Sequence, residues 1–119
     1  MILSFKKQFK KKILNGDKIH TIREDKKRRW KSGKKIHFAT GVRTKKQKQF
    51  KEGVCLSVQR LQICPTCVAL RVWVGDRWLQ AQEIEVLARN DGFKNAKEFF
   101  KWFDKDFDGV LIHWTNYKY

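Results

Sequence analysis

Acid is scarce in this chain, and long apolar runs are missing. Of 119 residues only 12 are Asp or Glu, against 28 Lys or Arg, for a formal net charge of +16. No window approaches the roughly eighteen consecutive apolar residues of a membrane span, and the N-terminus lacks an apolar signal-peptide core. A cytoplasmic protein with no membrane partner is therefore expected. Cysteine is equally sparse: Cys55, Cys64 and Cys67 are an odd number without a secretion signal, which argues against a disulfide framework. Cys64-Pro65-Thr66-Cys67 has the spacing of half a zinc site or of a redox pair. A zinc site would need Cys55 and one of His20, His37 or His113 to complete it, because no second paired motif exists. A redox pair would open a helix, whereas a strand pattern follows. The stretch thus reads as a Pro-Thr turn between strands, and neither metal nor cofactor is expected. No internal repeat and no linker interrupts the chain, so residues 1–119 are expected to form one domain and a monomer.

What is abundant is positive charge, and it is concentrated. Met1 to Gly53 holds 19 basic and 4 acidic residues, net +15, whereas Val54 to Tyr119 holds 9 and 8, net +1. Such self-repulsion is costly to a compact fold unless an anionic partner neutralises it, and nucleic-acid phosphates are the commonest such partner. An anionic membrane surface is the rival for the basic amphipathic stretch carrying Lys6, Lys7, Lys10, Lys11 and Lys12. Its phenylalanines are needed for the core of so small a domain, which favours nucleic acid.

The chemistry is densest in Gly16-Asp17-Lys18-Ile19-His20-Thr21-Ile22-Arg23-Glu24-Asp25. Before it, Phe5, Phe9 and Ile13 recur every four positions, the spacing of one helix face. Gly16 falls where that helix would end in a left-handed residue. Ile19 and Ile22 do not alternate, so a short extended or irregular segment is expected, with Lys18, Thr21 and Arg23 facing a cleft or solvent. A solvated basic turn is the competing description.

Next, Lys26 to Lys35 holds seven Lys or Arg, among them Lys26, Lys27, Arg28 and Arg29 directly before Trp30. The composition suits base stacking and phosphate binding, and equally a tryptophan that anchors a loop to the core. Ile36 to Thr40 alternates as a half-buried strand. Gly41 to Lys51, with Arg43, Lys45, Lys46 and Lys48, reads as an exposed basic loop or hairpin tip, a candidate nucleic-acid arm. A strand is expected from Val54 toward Ile63, broken by Pro65, and another over Val68 to Val74 that turns at Gly75-Asp76 into Arg77-Trp78-Leu79. Ala81 to Ala88 has helical spacing. Asn95 to Glu98 matches a capping box ahead of an aromatic helix, and Val110 to Thr115 closes the chain as a strand.

Two segments resemble the ASCH domains, a family within the PUA-like group of small β-barrels. Phe9 to Arg23 (FKKKILNGDKIHTIR) is similar to the family signature of a phenylalanine, an isoleucine, a glycine, a lysine and Thr-Ile-Arg. Asn90 to Thr115, with Asp91-Gly92-Phe93, Glu98-Phe99 and Ile112-His113-Trp114-Thr115, is similar to the ending of bacterial and phage members. The resemblance implies an α+β fold, a small curled β-barrel of about five to six strands with two to three flanking helices, and a cleft lined by the focal segment. It also implies RNA binding. Some small members are amidohydrolases that remove the acetyl group of N4-acetylcytidine with a lysine, a threonine and a distant acid. Those positions fall here on Lys18, Thr21 and Asp91, where the enzymes have glutamate.

The residues support that chemistry on their own terms. A threonine hydroxyl becomes a nucleophile when a base takes its proton, and a lysine is that base when its pKa is drawn toward neutrality, as neighbouring cations such as Arg23 do. Without chemistry, Lys18, Thr21 and Arg23 still suit a phosphate or base edge, with Asp91 holding Lys18 as an ion pair. The expected partner is RNA or another nucleic acid, gripped by the basic half and admitted to the cleft. An enzyme acting on a modified nucleoside or on RNA, including a ribonuclease, is the second reading, and a non-catalytic basic adaptor the third.

Overall fold

The computed structural model describes residues 1–41, 44–65 and 71–119. Among them eight strands and three helices run in the order β1 (Ile2–Phe5), α1 (Lys7–Leu14), β2 (His20–Arg23), β3 (Lys35–Thr40), β4 (Lys48–Val54), β5 (Ser57–Cys64), β6 (Arg71–Val74), β7 (Arg77–Trp78), α2 (Ala81–Asn90), α3 (Ala96–Trp102) and β8 (Phe107–His113). The fold is α+β, as expected. Its strands make two sheets, β1-β3-β4 and β2-β8-β5-β6-β7, with β1 parallel to β3 and every other pair antiparallel.

These sheets are not closed into a barrel, and the strands outnumber the five or six anticipated. The reason lies at Cys55-Leu56, inside what reads as one strand in sequence. The Cys55 N–H donates to the Lys34 carbonyl, 2.8 Å, on the first sheet, and the next N–H, of Leu56, donates to the His113 carbonyl, 2.8 Å, on the second. The chain changes sheets there. Strand β4 begins at Lys48, inside the stretch Gly41 to Lys51 expected as a loop or hairpin tip, and pairs antiparallel with β3. Its side chains are exposed or half-buried throughout, so no apolar alternation announces it.

Strand β8 joins the two cores. Successive side chains of a strand point to opposite faces. Leu111 accordingly enters a cluster with Leu61, Val72, Leu79, Leu87 and Phe99 under α2 and α3, while Ile112 enters one with Phe5, Phe9, Ile13, Ile36 and Phe38 under α1. The four-residue spacing of Phe9 and Ile13 does form the buried stripe of α1, and Gly16 after it has φ +86°. Asn95 caps α3 by accepting the Glu98 N–H at 3.0 Å. The reciprocal half of the box is replaced, because the Glu98 carboxylate takes the Lys101 ammonium at 3.3 Å. Of the expected strand over Val68 to Val74, β6 covers the described part and forms the hairpin with β7. Cys64 ends β5 and Cys55 is buried, while Cys67, with the rest of the expected Pro-Thr turn beyond Pro65, lies outside the described residues.

Candidate functional site

Thr21 and Arg23 lie two apart on β2, so they share a face. Antiparallel pairing with β8 fixes them opposite Ile112 and Val110. Lys18 stands just before the strand, its N–H donating to the Lys12 carbonyl at 2.9 Å and tying it to the end of α1. Asp91 follows the last residue of α2, and its N–H closes that helix on the Leu87 carbonyl at 2.9 Å. Three side chains from residues 18–23 and one from position 91 thus line one cleft of about 760 Å3, walled by Phe5, Phe9, Phe93 and Trp102, with Lys6 and Lys7 also lining it.

The Lys18 ammonium donates to the Asp91 carbonyl at 2.6 Å and to its carboxylate at 3.0 Å, and sits 4.9 Å from the centre of the Phe9 ring. Lys18 is 3% exposed. Burial lowers its pKa below the usual lysine value; the Asp91 carboxylate opposes that, and Arg23 and Lys12 add to it. The Lys12 ammonium donates to the Gly92 carbonyl at 2.7 Å, so two cations cap the carbonyl end of α2, where the helix dipole is negative. Gly92 has φ +95°, and a Cβ there would stand 2.9 Å from Phe9 Cδ1 and 3.2 Å from Lys18 Cδ. Only glycine lets the helix end this close to the lysine stem.

Behind the ion pair runs a buried chain of hydrogen bonds that sequence reasoning missed. His20 Nδ1 lies 3.1 Å from the Asp91 carboxylate and Nε2 lies 2.7 Å from the Tyr119 hydroxyl, which accepts from the Asn90 amide at 3.0 Å. An ionised carboxylate only accepts, so Nδ1 carries the proton and the neutral ring takes the Tyr119 proton at Nε2. That assignment agrees with the lowering of the His20 pKa, for which burial is the largest cause. The pattern Lys18, His20 at spacing two was the available signal; the contribution of Tyr119, 99 positions from His20, left none. His113 packs edge-on against His20, donates from Nε2 to Gln59 at 2.9 Å, and leaves a buried Nδ1 with no partner.

Thr21 is buried at 4% exposure, and its hydroxyl accepts from Arg23 Nε at 3.4 Å. Arg23 also donates to the Ser4 carbonyl at 2.5 Å and lies 5.0 Å from the Phe5 ring centre. Burial lowers its pKa as well. Lys26, Lys27, Arg28 and Arg29 are exposed in the loop after β2, and Lys45, Lys46 and Lys48 are exposed before and at the start of β4; Arg43 lies outside the described residues. Trp30 is 8% exposed and packs in the core under α1. Of the two descriptions of that tryptophan, the loop anchor is the one observed. Among the described residues no group of three or more His, Cys, Asp or Glu could hold a metal ion. No helix among them is long and apolar enough to cross a membrane.

No protein-family model, curated protein or solved structure matches the chain. The site therefore has to be read from its own geometry. It offers two cations, one hydroxyl and one carboxylate at the bottom of an aromatic cleft, the composition that a planar, polar-edged, anionic ligand would complement.

Proposed function

We propose that the protein is an RNA-binding domain of the ASCH type, within the PUA-like group, whose cleft admits one nucleotide while the basic half of the chain meets the phosphate backbone. One observation carries the reading: Lys18, Thr21, Arg23 and Asp91 line a single cleft of about 760 Å3, a volume in the range of small-ligand sites. Trp102, 43% exposed at the cleft wall, offers a ring to a base, and Arg23 and Lys18 offer donors to base edges or phosphate. The +15 of the first 53 residues supplies the long-range attraction. Binding of a single-stranded RNA must then weaken steeply with salt, because each phosphate contact contributes a slope of about −0.7 in log K against log salt. Affinity that stays flat from low to moderate salt sinks the proposal.

The second reading is hydrolysis of N4-acetylcytidine, favoured by the burial of Lys18 with a lowered pKa in the same cleft as Thr21. In it, Lys18 Nζ takes the Thr21 proton and the hydroxyl oxygen attacks the acetyl carbonyl. The C–N bond then breaks, the amine leaves with a proton, and water cleaves the acetyl ester. Release of cytidine by the native protein, abolished in Thr21→Val, supports this; no release from the native protein removes that substrate.

A further inference from the structure

A second hollow, about 480 Å3, is lined by Lys26, Arg28 and Lys31 from the loop after β2, by Arg60 from β5 and by Asp108 from β8, over a floor that includes Val58 and Val110. It follows the cleft along both chains that border it. Ile22, Arg23 and Glu24 line the cleft, and the next residue, Asp25, opens the groove; Phe107 lines the cleft, and Asp108, Gly109 and Val110 line the groove. Gly109 is what allows the two chains to close up between them, since a Cβ there would collide with the Arg23 carbonyl.

The groove's negative charges are engaged. The Asp25 carboxylate accepts the N–H groups of Arg29 at 2.8 Å and Trp30 at 3.0 Å, and Asp108 pairs with Arg60 at 3.2 Å. Lys26, Arg28 and Lys31 form no ion pair with a described carboxylate. Arg28 has φ +50°, the one positive φ at a non-glycine among the described residues, and its N–H donates to the Asp25 carbonyl at 3.0 Å. Holding an arginine in that conformation costs about 1 kcal/mol or more, and buried Trp30 with the Asp25 bonds keeps it there. The loop backbone is held, and it carries three exposed cations with no described carboxylate paired to them.

We infer that this groove is a second anion site, and that it holds the phosphodiester next to the nucleotide in the cleft. The inference rests on the RNA-binding reading and deepens it: the ligand is a single-stranded oligonucleotide, not a free nucleoside. A base can enter the cleft only unstacked, which single strands allow, and the adjoining phosphate then falls along the continuous wall from Arg23 to Arg28.

The test compares an oligocytidylate RNA hexamer with cytidine 5′-monophosphate. Three proteins are needed: the native chain, a groove variant with Lys26→Gln, Arg28→Gln and Lys31→Gln, and a control with Lys94→Gln, Lys97→Gln and Lys105→Gln. The control loses the same charge at exposed positions that line neither hollow. The groove variant should bind the hexamer about tenfold or more weakly at about 0.1 M salt. Its salt slope should be shallower by about 2, three contacts at about 0.7 each, while monophosphate affinity stays within about twofold. The inference is overturned if groove and control variants show the same hexamer affinity and slope, or if polyglutamate displaces the hexamer at equal charge. Those results leave the cleft reading standing, whereas a native protein without salt-dependent hexamer binding removes both.

Discussion

Replacing Lys18 by methionine keeps the apolar stem and deletes the ammonium, so it isolates the charge pair at the base of the cleft. Lys18 and Asp91 side chains are 3% and 4% exposed, 3.0 Å apart. Removing one partner of a buried pair strands the other charge, at a cost of about 3–5 kcal/mol. Asp91 would retain His20 Nδ1 at 3.1 Å, which places Lys18→Met toward the lower end of that range. Unfolding entropy of about 2.1 cal/mol/K per residue gives about 250 cal/mol/K for the chain, so each kcal/mol moves Tm by about 4 °C. A fall of about 12 °C is expected by calorimetry. Adding Asp91→Asn to Lys18→Met removes the stranded charge and should restore at least half the loss; with each single variant costing about 3 kcal/mol, that is a coupling of about 4 kcal/mol or more in a double-mutant cycle. Asp91→Asn alone leaves a buried ammonium without the carboxylate that raises its pKa. Between the lowered pKa of Lys18 and 10.5 the folded protein then binds fewer protons than the unfolded one, so stability rises with pH through that window and the deficit shrinks as the solution is made alkaline. Additive losses in the double variant, or a Lys18→Met loss below about 1 kcal/mol, would refute the account. The same arithmetic makes Thr21→Val a cleaner probe of activity than Lys18→Ala.

Three further outcomes follow from the geometry. Gly92→Ala combines a φ of +95° with a Cβ 2.9 Å from Phe9, costing about 2–4 kcal/mol, whereas Gly16→Ala, at φ +86° with nothing within 4 Å, should cost only about 1; equal losses in urea unfolding would discount the crowding. His113 has its pKa lowered by burial from 6.5 to about 4, so the unfolded chain binds the extra proton between those values and stability must fall as pH drops through that window, by at most about 1.4 kcal/mol per pH unit for this group; His113→Gln should flatten the slope there. Trp30→Ala should cost about 3–5 kcal/mol of stability, measured by denaturant titration, because it empties a core position; a loss under about 1 kcal/mol would return Trp30 to the surface.

Local signals carried well wherever one physical term dominates. The four-residue spacing of Phe9 and Ile13, the glycine at position 16, the asparagine cap at 95 and the turn at Gly75-Asp76 each have a cause within a few residues, and each is found in the structure. The signal failed where pairing partners are remote. Lys48 to Val54 has no alternation, being half exposed, yet becomes a strand because β3 supplies its backbone partners. Cys55-Leu56 sits inside an unbroken apolar rhythm and nevertheless changes sheets, since successive N–H groups find carbonyls on different strands.

By itself, then, the sequence determined the charge asymmetry, the amphipathic helix and the choice of Lys18, Thr21 and Arg23, because these depend on composition and short spacing, whereas Asp91 was implied only by the resemblance to ASCH domains. Tertiary structure alone decided that the four share a cleft, that Asp91 also holds His20 and through it Tyr119, and that Trp30 is core. It also decided that the exposed cations after β2 line a second groove, whose residues follow those of the cleft along β2 and β8. Each of those facts depends on distances between residues tens of positions apart, set by how β8 threads between two cores and not by any local preference of the chain.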